Sequence, residues 1–189
     1  MAETTPPAFP TLETPRLLLR EVVEADVPDL FAIHSDRRLM AWYGSDALVD
    51  VDAATKIVAL FKSWRLLPNP GVRWALEARD GGPLLGTCGL FNWNRAWRRC
   101  TLGYELAMHA QGQGLMHEAL DTVLSWGFEQ MDLHRVEALI HPLNLPSQHV
   151  VQKLGFVCEG VLREVARFKG QQHDMQQWSL LRRDHFKAR

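Results

Sequence analysis

Residues 107–116, Ala-Met-His-Ala-Gln-Gly-Gln-Gly-Leu-Met, decide the fold of this chain. A half-apolar extended segment, 99–108, leads into this stretch, and apolar spacing predicts an amphipathic helix over 114–131. The sequence Gln-Gly-Gln-Gly at 111–114 predicts a turn between the extended segment and the helix, with a backbone that its glycines leave uncovered. N–H groups at a helix N-terminus lack helical acceptors and lie at the positive end of the helix dipole, so they bind phosphate. The stretch therefore predicts a site for a phosphorylated ligand.

Two common phosphate-binding loops do not match these residues. A Walker loop continues from its last glycine with Lys and Ser or Thr, whereas Leu115 and Met116 follow Gly114 here. A dinucleotide fingerprint needs a third glycine where this chain has His117. Two glycines alone are equally typical of an ordinary turn, so the motifs elsewhere in the chain decide.

Four further segments accompany the glycine turn in a fixed order. They are Thr-Pro-Arg-Leu-Leu-Leu-Arg at 14–20, Gly-Thr-Cys-Gly-Leu at 86–90, Leu-Gly-Tyr-Glu-Leu at 102–106, and a segment at 144–160 with Asn-x-x-Ser, Lys-Leu-Gly-Phe and Glu-Gly. Together with Gln-x-x-Gly at 111–114, they resemble the GNAT superfamily of acyl-coenzyme A N-acyltransferases. Within it, they are similar to the RimJ/RimL branch, which acetylates ribosomal proteins. The resemblance covers about residues 14–184.

The resemblance implies a GNAT fold of the α/β (α+β) class. Its central mixed, mostly antiparallel sheet of six to seven strands is flanked by helices. The central strands, here 99–108 and 135–141, are expected to splay apart, so that acyl-coenzyme A inserts between them and pairs with an open strand edge. We predict a single domain over 14–184, a flexible N-terminal tail over 1–13 and a C-terminal tail over 185–189.

Composition sets limits on compartment and partners. The chain of 189 residues has a formal net charge of −1 and no basic block, which argues against nucleic-acid binding. No apolar run approaches the ~20 residues of a membrane span, and the N-terminus does not read as a signal peptide. Cys88, Cys100 and Cys158 lie in apolar strands and suit buried thiols in a reducing, cytoplasmic compartment. No His, Cys or carboxylate spacing indicates a metal site.

Acetyl-coenzyme A is the cosubstrate that the resemblance implies. The residues expected to bind it are Leu106, Ala107 and Met108 for the pantetheine arm, Gln111, Gly112, Gln113, Gly114, Leu115 and Met116 for the diphosphate, and Asn144 for the pantetheine or the acceptor. Gln111 replaces the commoner Arg of the motif, and Met116 stands where the motif prefers Gly or Ala. Asn144 is alternatively a turn residue between two prolines.

Ser147 and Glu105 are the catalytic candidates. In some GNAT members a Tyr seven residues after the Asn is the general acid that protonates the thiolate, but that position is Val151 here. In this branch the Ser of Asn-x-x-Ser, here Ser147, is the alternative acid for the leaving thiolate; otherwise it is only a helix N-cap. Glu105 in the splayed strand is the candidate base, unless it is a solvated edge charge. Tyr104 is its rival, unless it is a core aromatic.

The expected reaction is acetyl transfer from acetyl-coenzyme A to a primary amine by direct attack in a ternary complex. A protein N-terminal α-amine, with a pKa of ~7.7–8.0 against ~10.4 for lysine, needs only a modest base. Two alternatives remain: a small-molecule amine such as a polyamine, amino acid or antibiotic, and a non-catalytic acyl-coenzyme A-binding module. Three aspartates at 44–52 favour a cationic acceptor, whose pocket Trp42, Tyr43 and the loop 93–97 could line. An exposed edge strand could form a homodimer, as is common in this branch.

Overall fold

The computed structural model of the protein describes residues 8–187 and contains one mixed eight-stranded sheet. Its strands are β1 (Leu12–Glu13), β2 (Leu17–Glu21), β3 (Val72–Ala78), β4 (Gly86–Asn94), β5 (Arg99–Leu106), β6 (Arg135–Ile140), β7 (Val157–Phe168) and β8 (Gln171–Leu181). Its helices are α1 (Val27–Ser35), α2 (Val51–Trp64), α3 (Leu115–Gln130), α4 (Leu145–Lys153) and α5 (Arg182–Lys187). The strand order is β1-β2-β3-β4-β5-β6-β8-β7. The expected mixed, mostly antiparallel GNAT-type sheet is confirmed.

The eighth strand, β1, lies in the segment that the sequence analysis assigns to a tail. The ring of Phe9 packs edge-on against Trp74, with centroids 6.1 Å apart. The indole nitrogen of Trp74 donates to the carbonyl of Pro10 at 2.6 Å. Residues 8–13 therefore contact the sheet, and α5 crosses the boundary placed at 184. Residues 1–7 and 188–189 lie outside the described part of the chain, and the division of the whole chain stays a prediction.

The gap between β5 and β6 is the feature that positions the site. These neighbours are parallel and pair through three residues each, from Arg99 with Arg135 to Thr101 with Glu137. Beyond Thr101, none of the described strands pairs with residues 102–106 of β5 on that side. The connection through α3 covers the sheet and returns the chain to the parallel β6, as parallel strands require. An open strand edge thus lies beside the N-terminus of α3.

Helices pack on both faces of the sheet and hold β5 in place. Adjacent side chains of a strand point to opposite faces. Trp74 accordingly packs in the core cluster that includes the α3 residue Phe128, whereas Ala75 packs with the α2 residue Phe61. Phe128 is fully buried, and burial of such a side chain contributes about 1.5–3 kcal/mol. The core on both sides makes the sheet a rigid support for the site.

Two cysteines are buried as expected, and one is not. Cys88 in β4 and Cys100 in β5 are buried, but Cys158 in β7 is exposed. The expectation for Cys158 was wrong because β7 is an edge strand whose side chains are mostly exposed. The homodimer through such an edge stays a prediction. Among residues 8–187, no helix has the length and apolar character needed to cross a bilayer.

Candidate active site

The backbone between β5 and α3 differs from the predicted extended strand. β5 ends at Leu106, and 108–110 forms a short 3₁₀ turn. The N–H of Gln111 donates to the carbonyl of Met108 at 3.3 Å. The Gln111 amide and the Met108 carbonyl are therefore already paired. The side-chain amide of Gln111 donates to the Leu106 carbonyl at 3.0 Å, so Gln111 binds the open strand edge.

The two glycines open the backbone in front of α3. Gly112 has a φ of 74° and Gly114, the N-cap of α3, a φ of 77°, in the left-handed region that favours glycine. A Cβ on Gly112 would meet no atom within 4 Å, and one on Gly114 only a nitrogen of Arg16 at 3.7 Å. Glu118 is the first residue of the helix whose N–H reaches a backbone carbonyl, that of Gly114. Open N–H groups facing vacant space fit an anionic group such as a diphosphate.

Arg16 and Glu118 fix this loop from behind, a contact that the sequence analysis missed. The Arg16 guanidinium donates to the Gln113 carbonyl at 2.9 Å and to the Glu118 carboxylate at 2.7 Å. The Thr14 hydroxyl also donates to Glu118. The segment 14–20, which contains Arg16, was the available signal for this contact. Met116 is buried and packs in the core cluster with the other apolar residues of α3.

One cleft of about 480 Å³ connects this loop with the gap in the sheet. Predicted site residues that line it are Glu105, Leu106, Gln111, Gly112, Gly114, Leu115, Met116, Asn144 and Ser147. Three others, Ala107, Met108 and Gln113, are not among its lining residues. At one end the cleft reaches Leu39 and Tyr43, and elsewhere it is lined by His117, His149 and Lys153. The arrangement brings most of the predicted residues into one elongated site.

Asn144, and not Ser147, caps the N-terminus of α4. The side-chain oxygen of Asn144 accepts the Ser147 N–H at 3.3 Å, which makes Asn144 the N-cap. The alternative in which Ser147 caps the helix is therefore wrong. The Ser147 hydroxyl instead lies 2.6 Å from the hydroxyl of Tyr104. Burial raises the pKa of Tyr104 to about 12, so this phenol stays protonated at neutral pH.

Glu105 is the centre of a buried polar cluster. One carboxylate oxygen accepts from the Arg73 guanidinium and, at 2.8 Å, from the Tyr43 hydroxyl. The other accepts from the Thr87 hydroxyl and lies 3.4 Å from Nε2 of His34. Burial disfavours the charged carboxylate, but the positive charge of Arg73 and the contacts with His34 and Thr87 together outweigh this effect and lower the Glu105 pKa to about 2. Glu105 is only 8% exposed, so the alternative of a solvated edge charge is wrong.

The loop 36–50 closes one end of the cleft and is held by His141, which follows β6, and by the β7–β8 hairpin. The Trp42 ring stacks on His141 with centroids 4.2 Å apart. The Lys169 N–H donates to Asp46 and the Lys169 ammonium to the Ala41 carbonyl, each at 2.9 Å. Of the aromatic candidates for the acceptor pocket, Tyr43 lines the cleft but Trp42 does not.

The loop 93–97 does not belong to the acceptor end. It joins β4 and β5 where Asn94 pairs with Arg99, whereas the cleft begins at the other end of these strands, where Gly86 pairs with Leu106. The expectation that this loop lines the acceptor pocket was wrong, because a hairpin turn and the free ends of its strands lie at opposite ends of those strands.

Comparison with known proteins assigns the family. The profile of the acetyltransferase (GNAT) domain matches residues 16–157. The chain belongs to the GNAT acetyltransferase family. This GNAT chain is 31% identical over 174 residues to the uncharacterized N-acetyltransferase YoaA of Bacillus subtilis, covering 92% of this chain and 98% of YoaA. The expected superfamily and enzyme class, an N-acetyltransferase, are confirmed.

Two further similarities concern proteins whose names state an acceptor. The [ribosomal protein uS5]-alanine N-acetyltransferase of Escherichia coli is 31% identical over 96 residues, which is 50% of each chain. The resemblance to ribosomal-protein acetyltransferases is thereby confirmed. The structure of a spermidine N-acetyltransferase from Vibrio cholerae with CoA and spermine has a TM-score of 0.77 at 20% identity, covering 90% of this chain and 98% of that one. This second likeness shows the fold of the GNAT chain. Among residues 8–187, no cluster of three or more His, Cys, Asp or Glu could hold a metal ion.

Replacing Gly114 with valine is expected to weaken CoA binding about tenfold or more, which corresponds to at least ~1.4 kcal/mol. A branched side chain is strained at a φ of 77°, so the turn that presents the open amides would have to change its backbone conformation. Calorimetric titration with CoA measures the change. The matched control is Gly81→Val, because Gly81 has a φ of 86° in open space within an exposed turn. Equal CoA affinity in both variants would contradict the diphosphate site.

Proposed function

We propose that this GNAT enzyme acetylates the N-terminal α-amine of a protein, with acetyl-coenzyme A as the cosubstrate. The charge of the cleft is the observation that carries the proposal. Glu105 is the one carboxylate among the described residues that line the cleft, and Arg73 already neutralises it. A polyamine carries several ammonium groups and needs unpaired carboxylates to bind them. A peptide acceptor that carries only its N-terminal amine needs no unpaired carboxylate in the cleft.

Acetyl-coenzyme A fits the residues that line the cleft. The open amides beyond Gln111 suit its diphosphate, and the unpaired edge of β5 at 102–106 suits its pantetheine arm. His117, His149 and Lys153 line the part of the cleft formed by α3 and α4, where they would face the nucleotide. We assign the side chain of Gln111 to the pantetheine segment, because its amide already pairs with the strand edge that this arm would join.

The state of Glu105 favours an amine that loses its proton easily. A carboxylate with a pKa of about 2 accepts a proton poorly near neutral pH, so we assign Glu105 to positioning and not to general base catalysis. It holds the Tyr43 hydroxyl at the acceptor end. An α-amine, with a pKa of ~7.7–8.0, releases its proton to water without a strong base.

The chain supplies the remaining groups for acyl transfer. The new N–C bond forms as the amine attacks the thioester carbonyl, and the C–S bond then breaks. The Ala107 N–H donates to the Leu85 carbonyl at 2.8 Å, so strand alternation turns the Leu106 N–H toward the open edge, where it can stabilise the oxyanion. The Ser147 hydroxyl lies in the cleft and protonates the departing sulfur.

A polyamine is the second candidate acceptor, because the spermidine N-acetyltransferase shares this fold. The aspartates at 44–52 were its support in the sequence. Asp46 accepts the Lys169 N–H, and Asp50 caps α2 by accepting the Ala53 N–H at 2.8 Å. Two of the three aspartates therefore have structural roles, which weakens this candidate.

The test is a thiol-release assay with three acceptors at equal concentration. They are a short lysine-free peptide with a free N-terminus, an N-acetylated version of that peptide with one lysine added, and spermidine. We expect kcat/KM to be highest for the free N-terminus and to rise with pH until about 8, where the α-amine is deprotonated. Preference for spermidine or for the lysine peptide would overturn the proposal. Absence of thiol release with every amine would favour the binding module.

A further inference from the structure

Two hydroxyl groups face each other across the gap in the sheet. Tyr104 belongs to β5 on one side, and Ser147 belongs to α4, which follows β6 on the other. The Tyr104 hydroxyl lies 2.6 Å from the Ser147 hydroxyl and 3.1 Å from the Ser147 backbone carbonyl. Both residues line the cleft that would hold the thioester. The pair therefore lies where a departing thiolate needs a proton.

The single proton of the phenol decides where the Ser147 hydroxyl points. If Tyr104 donates to the Ser147 carbonyl, the serine proton turns back toward the phenol oxygen. If Tyr104 donates to the Ser147 hydroxyl oxygen, the serine proton is released toward the cleft and is polarised by the bond it receives. The second arrangement is the productive one for an acid. Asn144 caps α4 by accepting the Ser147 backbone N–H. The Ser147 hydroxyl therefore takes no part in the cap and can donate its proton without disturbing the helix.

We propose that Tyr104 is a positioning residue that directs the Ser147 hydroxyl at the leaving sulfur and replaces its proton. The inference rests on the proposed function. As the C–S bond breaks, its electron pair goes to sulfur, sulfur takes the Ser147 proton, and Ser147 takes the Tyr104 proton. The proton that the amine nitrogen loses to water returns to Tyr104, so no proton is gained or lost overall. A phenol is a stronger acid than an aliphatic alcohol, so the transient negative charge is more stable on Tyr104 than on Ser147.

The leaving atom provides the test. The turnover of wild type, Tyr104→Phe, Ser147→Ala and the double variant is measured with acetyl-coenzyme A and with its selenoester, in which selenium replaces the thioester sulfur. With the thioester, we expect Tyr104→Phe to lower kcat about tenfold or more at unchanged KM, and the double variant to match Ser147→Ala. With the selenoester, the loss should shrink to about twofold or less, since a selenolate leaves without a proton.

Tyr43→Phe is the matched control, because it removes the other tyrosine hydroxyl of the chain at the acceptor end of the cleft. Its effect should be the same with sulfur and selenium. A Tyr104→Phe loss that is equal for both donors, or no loss at all, would overturn the inference. Thermal unfolding and CoA titration of each variant separate misfolding from lost chemistry. A wild type without turnover on any amine would instead overturn the proposed function.

Discussion

Ser147→Ala is expected to lower kcat by about 100-fold or more, the size of a general acid contribution, and to leave CoA affinity unchanged. In the proposed mechanism the hydroxyl protonates the leaving thiolate, and among the described residues its hydrogen-bonding partner is the Tyr104 hydroxyl. The α4 cap survives the substitution because Asn144 accepts the Ser147 backbone N–H and not its side chain. Steady-state thiol release measures kcat, and calorimetry measures the affinity for CoA.

The control for this substitution is Ser63→Ala on α2. The Ser63 hydroxyl donates to the Leu60 carbonyl within its own helix and does not line the cleft. Both variants should unfold within a few degrees of wild type, but only Ser147→Ala should lose activity. If Ser147→Ala keeps more than about a third of wild-type kcat, the acid is another group and the assignment fails.

Arg73→Met is expected to lower the free energy of unfolding by about 3–5 kcal/mol at pH 7, because it leaves the Glu105 carboxylate buried without its cation. Arg73 and Glu105 are 4% and 8% exposed, so water cannot replace the lost partner. Urea unfolding measures the loss. The control is Arg79→Met, which removes an exposed ion pair with Glu13 and should cost about 1 kcal/mol or less.

The pH dependence of this loss tests its cause. In the wild type, the Glu105 pKa of about 2 lies below its value of ~4.3 in the unfolded chain, so the stability it contributes is present above that value and is lost as pH falls toward 2. In Arg73→Met the unpaired carboxylate should have a raised pKa and take a proton readily. The stability difference between the two proteins should therefore narrow as the pH falls from 7 toward 4. A constant difference between pH 4 and pH 7 would point to lost packing alone.

Local features of the chain could be predicted from the sequence, because neighbouring residues determine them. The glycine turn at 111–114 and the helix that follows were placed correctly, since left-handed backbone and apolar spacing are short-range properties. The end of β5 was placed two residues too late, at Met108 and not at Leu106. Half-apolar residues continue past the strand, and the turn is revealed by backbone hydrogen bonds from Ala110 to Ala107 and from Gln111 to Met108.

The surroundings of Glu105 could not be predicted, because its partners come from distant segments. Arg73 lies in β3, Thr87 in β4, and Tyr43 in the loop before α2. Strand alternation correctly separated Glu105 from Tyr104, but it does not say which face is buried. The charged Arg73 within the apolar run of β3 was the one available signal, since an arginine there needs a buried anion.

A crystal structure of the protein grown with CoA tests the central claim most directly. The diphosphate is expected within about 2.7–3.2 Å of backbone N–H groups beyond Gln111 at the start of α3, with the thiol arm along 102–106 of β5 and the sulfur beside Ser147. A diphosphate bound elsewhere on the molecule, or a gap between β5 and β6 without the thiol arm, would contradict the account.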